Sequence, residues 1–385
     1  MSFICHSCSR QSRIIMEPRK IVLILGNGFD LDLGLKTSYK DFWESDFCPK
    51  DYPAPLIHHL NQRWPDNLEA VKWYDLENEL LNYYNSIPDP TKGQDIITDE
   101  ERALLEKYTS YGQACGWYND QLELVSSLVN KGVLSYNGNL LGRVGEHLKE
   151  DALKSPIWRD RKALSLIKEG LCKYLKTIDK PLAESSTTAY HLLLALMQST
   201  KAGDFVNIYT FNYTRVQMLG YDPEGMPVHY MHGSCVDGKI IVGTRDDLNM
   251  DQGYDFLLKA MDDSFTPPDI VTALKDADEV IIFGHSLGEN DRQYFAPFFL
   301  RQADYDNPVR KDITIFTRDD NSKVEIKRAL QKMTDGKLSA LYSINQPIII
   351  RTANLQEDQH LMYNFLLNHH EDEHFAELVI GKLLQ

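Results

Sequence analysis

The sequence predicts an α/β protein: a parallel sheet with helices on both faces, interrupted by a large helical insertion. Three observations predict it. Apolar runs of strand length recur, with "KIVLILGNG" from Lys20 and "DEVIIFGHSLG" at 278–288 the strongest. Both are apolar throughout rather than alternating, as strands buried on both faces are. Helical patterns such as "NSKVEIKRALQKM" (321–333) and "LQEDQHLMYNFLLNHH" (355–370) separate the later runs, and strands alternating with helices build parallel sheets. Between about 52 and 203 the strand signal disappears, and "LENELLNYYNSI", "DEERALLEKYTSYGQACGWYNDQLELVSSLV" and "TTAYHLLLALMQS" carry helical spacing.

Taken in order, residues 1–18 differ from the rest and are expected to be a disordered leader, with Met16 an alternative start. The first strand follows, and "SYKDFWESD" after it does not read as a strand. Residues 52–203 form the helical insertion, a cap over one end of the sheet. Strands resume at "DFVNIYTFNYT" (204–214), "KDITIFTRD" (311–319) and "QPIII" (346–350). The acidic "HHEDEH" near the C-terminus reads as a solvated helix end, and no internal repeats occur.

Composition narrows the function. The chain has 385 residues, 43% hydrophobic and 25% charged, the profile of a soluble globular protein. Its net charge is -15, from 56 acids against 41 bases. That balance opposes general affinity for nucleic acid or anionic membrane, but not a small anion held by backbone amides. With no apolar run of membrane-span length and no secretory signal, a cytoplasmic protein is expected. The cysteines at 5, 8, 48, 115, 172 and 235 are scattered. Cys5 and Cys8 have C-x-x-C spacing without two further ligands, so free thiols and no metal are expected.

Gly26-Asn27-Gly28 follows the first strand and precedes a helix. Glycines there permit a tight turn and the close approach of a phosphate. A third glycine is missing, since position 31 is Leu, and a tight turn without a ligand explains the same residues. Three more stretches end apolar runs in polar or small residues: "TFNYT" (210–214), "HYMHGS" (229–234) and "FGHSLGEND" (283–291). The carboxyl ends of parallel strands share one edge, so these four loops are expected to converge on one crevice. Residues 19–51 and 204–385 are thus expected to form a Rossmann-like nucleotide-binding domain.

"ILGNGFDLDLGLKTSYKDF", "FNYT", "HGS" and "GHSLGENDRQYF", in this order, resemble the abortive-infection AbiH family of bacterial antiphage proteins over roughly residues 20–370, with "WYDLENEL" a less specific match. AbiH-like chains in turn resemble, distantly, the sirtuin (DHS-type) NAD-binding fold, whose glycine, asparagine, His-Gly and Gly-x-Ser loops follow in the same order. The resemblance implies that Gly26 and Gly28 cradle the pyrophosphate of NAD, with Asn27 and Phe29 as cofactor-binding residues of the same loop. It places Asn212 beside the nicotinamide ribose and makes His232 a general base. Gly284 and Ser286 match the loop that holds the other ribose, with His285 and Asp291 as further cofactor-binding residues of that loop. Asp30 stands where sirtuins have Ser and adds negative charge, facing ribose hydroxyls or capping the helix. The sirtuin zinc ribbon needs four cysteines where this chain has Cys235, so an ordinary deacylase is not implied. What remains is NAD as substrate or ligand, with hydrolysis of its nicotinamide–ribose bond. The implied partners are a small nucleotide, a phage-derived trigger and further copies of the chain.

The residue types suit that reaction. Breaking an N-glycosidic bond builds oxocarbenium-like charge on the ribose. An asparagine amide can hold a ribose hydroxyl, and a histidine can accept a proton. Asp30, Glu77 and Asp291 are candidate carboxylates. Each has a second reading: Asp30 and Asp291 as helix caps, Glu77 as a surface salt bridge. His285 reads as a structural hydrogen-bonding residue, and Phe211 and Tyr213 as packing. Two other functions remain open: a nucleotide sensor without turnover, with the insertion as effector, and a nuclease, which the acidic balance opposes.

Overall fold

The computed structural model describes residues 18–64, 75–87, 156–178, 187–198, 204–216, 226–250, 253–306, 309–370 and 372–384, with the isolated positions 100 and 103. All of the expected leader but Pro18 lies outside the described residues, as do Cys5, Cys8 and all but two positions of the helical run from "DEERALL" onward.

Six strands form a parallel sheet: β1 (Lys20–Leu25), β2 (Phe205–Thr210), β3 (Val228–Tyr230), β6 (Glu279–Phe283), β7 (Asp312–Thr317) and β8 (Ile348–Arg351). Their spatial order is β3-β2-β1-β6-β7-β8, with every pairing parallel. The order runs outward from β1 in one direction, then returns to its other side and runs the opposite way. At such a reversal the loops leaving neighbouring strands diverge and open a crevice at the carboxyl edge. A short antiparallel hairpin, β4 (Gly233–Ser234) with β5 (Lys239–Ile240), follows β3.

Strand alternation supplies two cores. Ile21, Leu23 and Leu25 face one side of the sheet with α1 (Asn27–Asp32), α6 (Thr188–Met197), α11 (Leu355–His369) and α12 (Glu373–Leu383). Val22 and Ile24 face the other, against α7 (Ile270–Asp276), α8 (Arg292–Gln302), α9 (Asp320–Met333) and α10 (Leu338–Asn345). Each such buried aliphatic side chain contributes about 1.5–3 kcal/mol. A third apolar cluster joins α2 (Tyr39–Trp43), α3 (Pro55–Arg63), α4 (Leu76–Ser86) and α5 (Pro156–Ile178), with Cys235, Ile240 and Tyr254 packed into it. Among the described residues no helix is long and apolar enough to cross a membrane.

The turns after β1 and β6 touch backbone to backbone. Gly26 N–H donates to the Phe283 carbonyl at 3.0 Å and Gly28 N–H to that of Gly284 at 2.9 Å. A Cβ on Gly284, whose φ is 65°, would lie 2.4 Å from the Gly28 carbonyl carbon; one on Gly34 (φ 78°) would meet nothing within 4 Å. Gly284→Ala is therefore expected to lower the unfolding free energy by about 2–4 kcal/mol, strain plus overpacking. Gly34→Ala, with strain alone, is expected to cost about 1 kcal/mol. Urea denaturation of the two variants side by side checks the difference.

Candidate functional site

The β1 turn, the β2 loop, the stretch after β3 and the β6 loop meet in a cavity of about 820 Å³ at the sheet's carboxyl edge. Gly26, Asn27, Gly28 and Asp30 line it from the first of these, and Phe211, Asn212, Tyr213 and Thr214 from the second. His232 comes from the third, and Gly284, His285, Ser286 and Asp291 from the fourth. Phe29 does not line it. Its ring is buried, edge-on to Phe283 at 5.4 Å, because helical geometry turns it to the sheet while Asp30 faces the loops.

Polar bonds tie the first two loops together. The Asn212 side-chain amide donates to the Gly26 carbonyl at 3.1 Å and to Asp30 Oδ1 at 2.9 Å. Thr214 Oγ1 donates to Asp30 Oδ2 at 2.5 Å. Asp30 is thus no helix cap: the N-cap is Gly26, and the buried Asp30 carboxylate reaches across to the β2 loop. Both amide hydrogens of Asn212 are used in this scaffold, leaving its Oδ1 as the polar atom for a ligand. The amides of Gly26 and Gly28 are likewise committed to carbonyls, so these glycines have a packing reason independent of any phosphate.

The other loops gather around a lysine. Lys259, in a 3-10 turn at Lys259–Met261, has a side chain with 0% exposure. Its Nζ lies 3.0 Å from Glu77 Oε2, 3.2 Å from Asp291 Oδ1 and 3.3 Å from His232 Nε2. An ammonium has three hydrogens, and here it has three acceptors. Asp291 occupies the N-cap position of α8, yet its side chain makes no cap bond. It faces His232 and His285 instead, each at 3.3 Å. Glu77, read from its spacing as a surface salt bridge, is a buried pair within the cavity wall, because α4 packs this face onto the site.

These contacts set the protonation states. Burial disfavours the Lys259 charge, but Asp291 and Glu77 outweigh it and raise its pKa. Burial likewise opposes the Asp291 charge, yet Lys259 and His232 hold it well below the usual carboxylate range. Glu77 is pushed up to about 7, first by burial, with Lys259 offsetting part of it. His232 is lowered by burial and then by the Lys259 ammonium, so it is a neutral imidazole at neutral pH. Its Nε2 lies 3.3 Å from both the Lys259 ammonium and Asp291 Oδ1. In His285 the Nδ1 accepts from the Leu287 N–H at 2.9 Å, and Nε2–H faces Asp291. The turn enabling this puts Leu287 at φ 53°, strain of the kind found at functional sites. Phe211 packs on both imidazoles, at 5.3 and 4.3 Å between ring centroids. The Tyr213 hydroxyl donates to the Ile241 carbonyl at 3.0 Å.

Lys259 escaped the sequence reading. Its signal is a lone lysine inside the apolar run "FLLKAM", a position that burial makes costly without partners. Among the described residues no group of three or more His, Cys, Asp or Glu side chains could hold a metal ion.

Glu77 offers a direct test of this electrostatic picture. Its pKa is raised from 4.5, so the folded state binds the proton more tightly than the unfolded chain does. The stability this confers is present at low pH and is lost as pH rises from about 4.5 through about 7. Glu77→Gln is therefore expected to match wild type near pH 4.5 and to exceed it by about 1–3 kcal/mol above pH 7, measured by denaturation across that window.

A family model described as bacteriophage abortive infection AbiH matches residues 22–304, a span that includes all four loops, Glu77 and Lys259. No curated protein matches the chain.

Proposed function

The chain belongs to the bacteriophage abortive infection AbiH family, and from that premise we propose that it serves phage defence by binding NAD or a related nucleotide and hydrolysing its N-glycosidic bond. The observation that carries this reading is the meeting of Asn212, His232 and Asp30 with the β1 and β6 turns in one cavity. Its volume falls in the range of roughly 300–1,000 Å³ usual for small-molecule sites. The strand order, reversing beside β1, is the doubly wound order in which nucleotides bind at the carboxyl edge. On this reading the fold is Rossmann-like and akin to sirtuins, with residues 52–203 as a helical cap.

The nicotinamide ribose sits against Asn212 Oδ1 and His232, and the carboxylates of Asp30, Glu77 and Asp291 favour the positive charge that develops on it. Because the Gly26 and Gly28 amides are engaged, the phosphates are assigned to Arg245 and Arg318, the arginines lining the cavity. Gly284, His285 and Ser286 border the second ribose. A sensor without turnover is the alternative, favoured by one observation: Glu77, Leu171 and Leu175 bring two helices of the 52–203 segment onto the cavity, so occupancy reaches them directly.

Purified protein incubated with NAD, with and without phage lysate, is expected to release nicotinamide, and His232→Ala, which removes a group that positions the ribose, to release it about a hundredfold more slowly. Thermal stabilisation by NAD without nicotinamide release would select the sensor.

A further inference from the structure

The position of Lys259 bears on which group takes the proton. Hydrolysis needs a base that can accept one from the attacking water. His232, the residue that the sirtuin resemblance casts in this role, has its Nε2 3.3 Å from the Lys259 ammonium. Protonating it there would set two cations against each other in a buried site, and Asp291 Oδ1, 3.3 Å from the same nitrogen, is already paired with Lys259 at 3.2 Å. Glu77 has the reverse situation. One ammonium is shared by two carboxylates, and Asp291 has the imidazoles of His232 and His285 as well. Lys259 therefore balances Asp291 as a standing ion pair and leaves Glu77 as the group that can change charge. Glu77 also borders the cavity, and its side chain keeps 13% exposure.

Resting on the hydrolysis reading above, we propose that Glu77, not His232, is the catalytic proton acceptor of this cavity, and that Lys259 is the positioning residue that makes it so. Water attacks C1′ of the ribose. The C1′–N bond breaks and its electron pair leaves with the nicotinamide nitrogen, which departs neutral and needs no acid. The water's proton passes to the Glu77 carboxylate and from its exposed edge to solvent. The groups facing Glu77 are Lys259 from the 3-10 turn, Asp291 from the β6 loop, Asp75 at the start of α4, Tyr39 from α2 and Tyr213 from the β2 loop. Its raised pKa fits the role, since environments that push two carboxylates apart assign one to proton transfer and the other to standing charge. His232 then acts as a neutral imidazole that orients the ribose.

The test has a substrate-free arm and a turnover arm, both on the full chain. Carboxyl carbon NMR, with Glu77→Gln identifying the resonance, is expected to show Glu77 titrating near pH 7. Titration in the ordinary carboxylate range overturns the assignment. Imidazole NMR of Lys259→Met is expected to show His232 titrating at higher pH than in wild type, and no change overturns the role of Lys259. With NAD as substrate, Glu77→Gln is expected to lower kcat by about 10²–10⁴-fold with KM little altered. It should also abolish the rise in rate centred near pH 7, with Glu77→Asp restoring part of each. A Glu77→Gln protein that keeps both turnover and that rise sinks the proposal. A wild type releasing no nicotinamide overturns NAD hydrolysis itself and with it this role, a result the two titrations tell apart from failure of Glu77 alone.

Discussion

The Lys259 ammonium is the constraint on which the rest of the cavity depends. A buried cation is tolerated only where its hydrogens and its charge are both answered, and here one carboxylate from α4, one from the β6 loop and an imidazole from beside β4 answer it. Removing Lys259 or Asp291, the two that stay charged, leaves the other buried and uncompensated, at a cost of about 3–5 kcal/mol. Chain segments that share no hydrogen-bond ladder are thereby held in one geometry. The same contacts fix which groups carry charge: Asp291 always, His232 never at neutral pH, and Glu77 according to conditions.

The second organising element carries no charge. Asp30, Asn212 and Thr214 bind α1 to the β2 loop, while Gly26, Gly28 and Gly284 bind the β1 turn to the β6 turn. A glycine pair after a buried strand invites a phosphate reading, and the fold gives it a prior reason to exist. Its donors face carbonyls of the protein, and the absence of Cβ atoms lets two backbones meet. On the proposed function, ligand charge then falls to Arg245 and Arg318, and this distinguishes the site from one built on a free glycine cradle.

How much of this could be read from the sequence follows from where the information lies along the chain. The strands β1, β6 and β7 are continuous apolar runs, and helices α9 and α11 have the period of 3.6. β7, α9 and α11 stand within two residues of where those patterns placed them, and β1 and β6 end just before the first glycine of their runs. The short β3 strand and the β4–β5 hairpin have too few residues to show a period. That four polar loops share an edge follows from parallel pairing and needs no side-chain detail. Glu77, Lys259 and Asp291 are different. They lie 182 and 32 residues apart, and their partnership exists only after α4 has packed beside the sheet. Local spacing rightly described Glu77 as the flank of an amphipathic helix and Asp291 as a residue at a helix start. Neither description says what stands opposite.

The contact between the β1 and β6 turns has a mechanical corollary. Two loops joined through main-chain atoms have no rotamers between them to absorb displacement, and interatomic separations near 3 Å leave no slack. They behave as one stiff plate, and a push on either strand along its axis is transmitted to both rims of the crevice at once. Adaptation to differently shaped guests must then come from the long side chains that also line the cavity, Glu77, Arg245 and Arg318 among them.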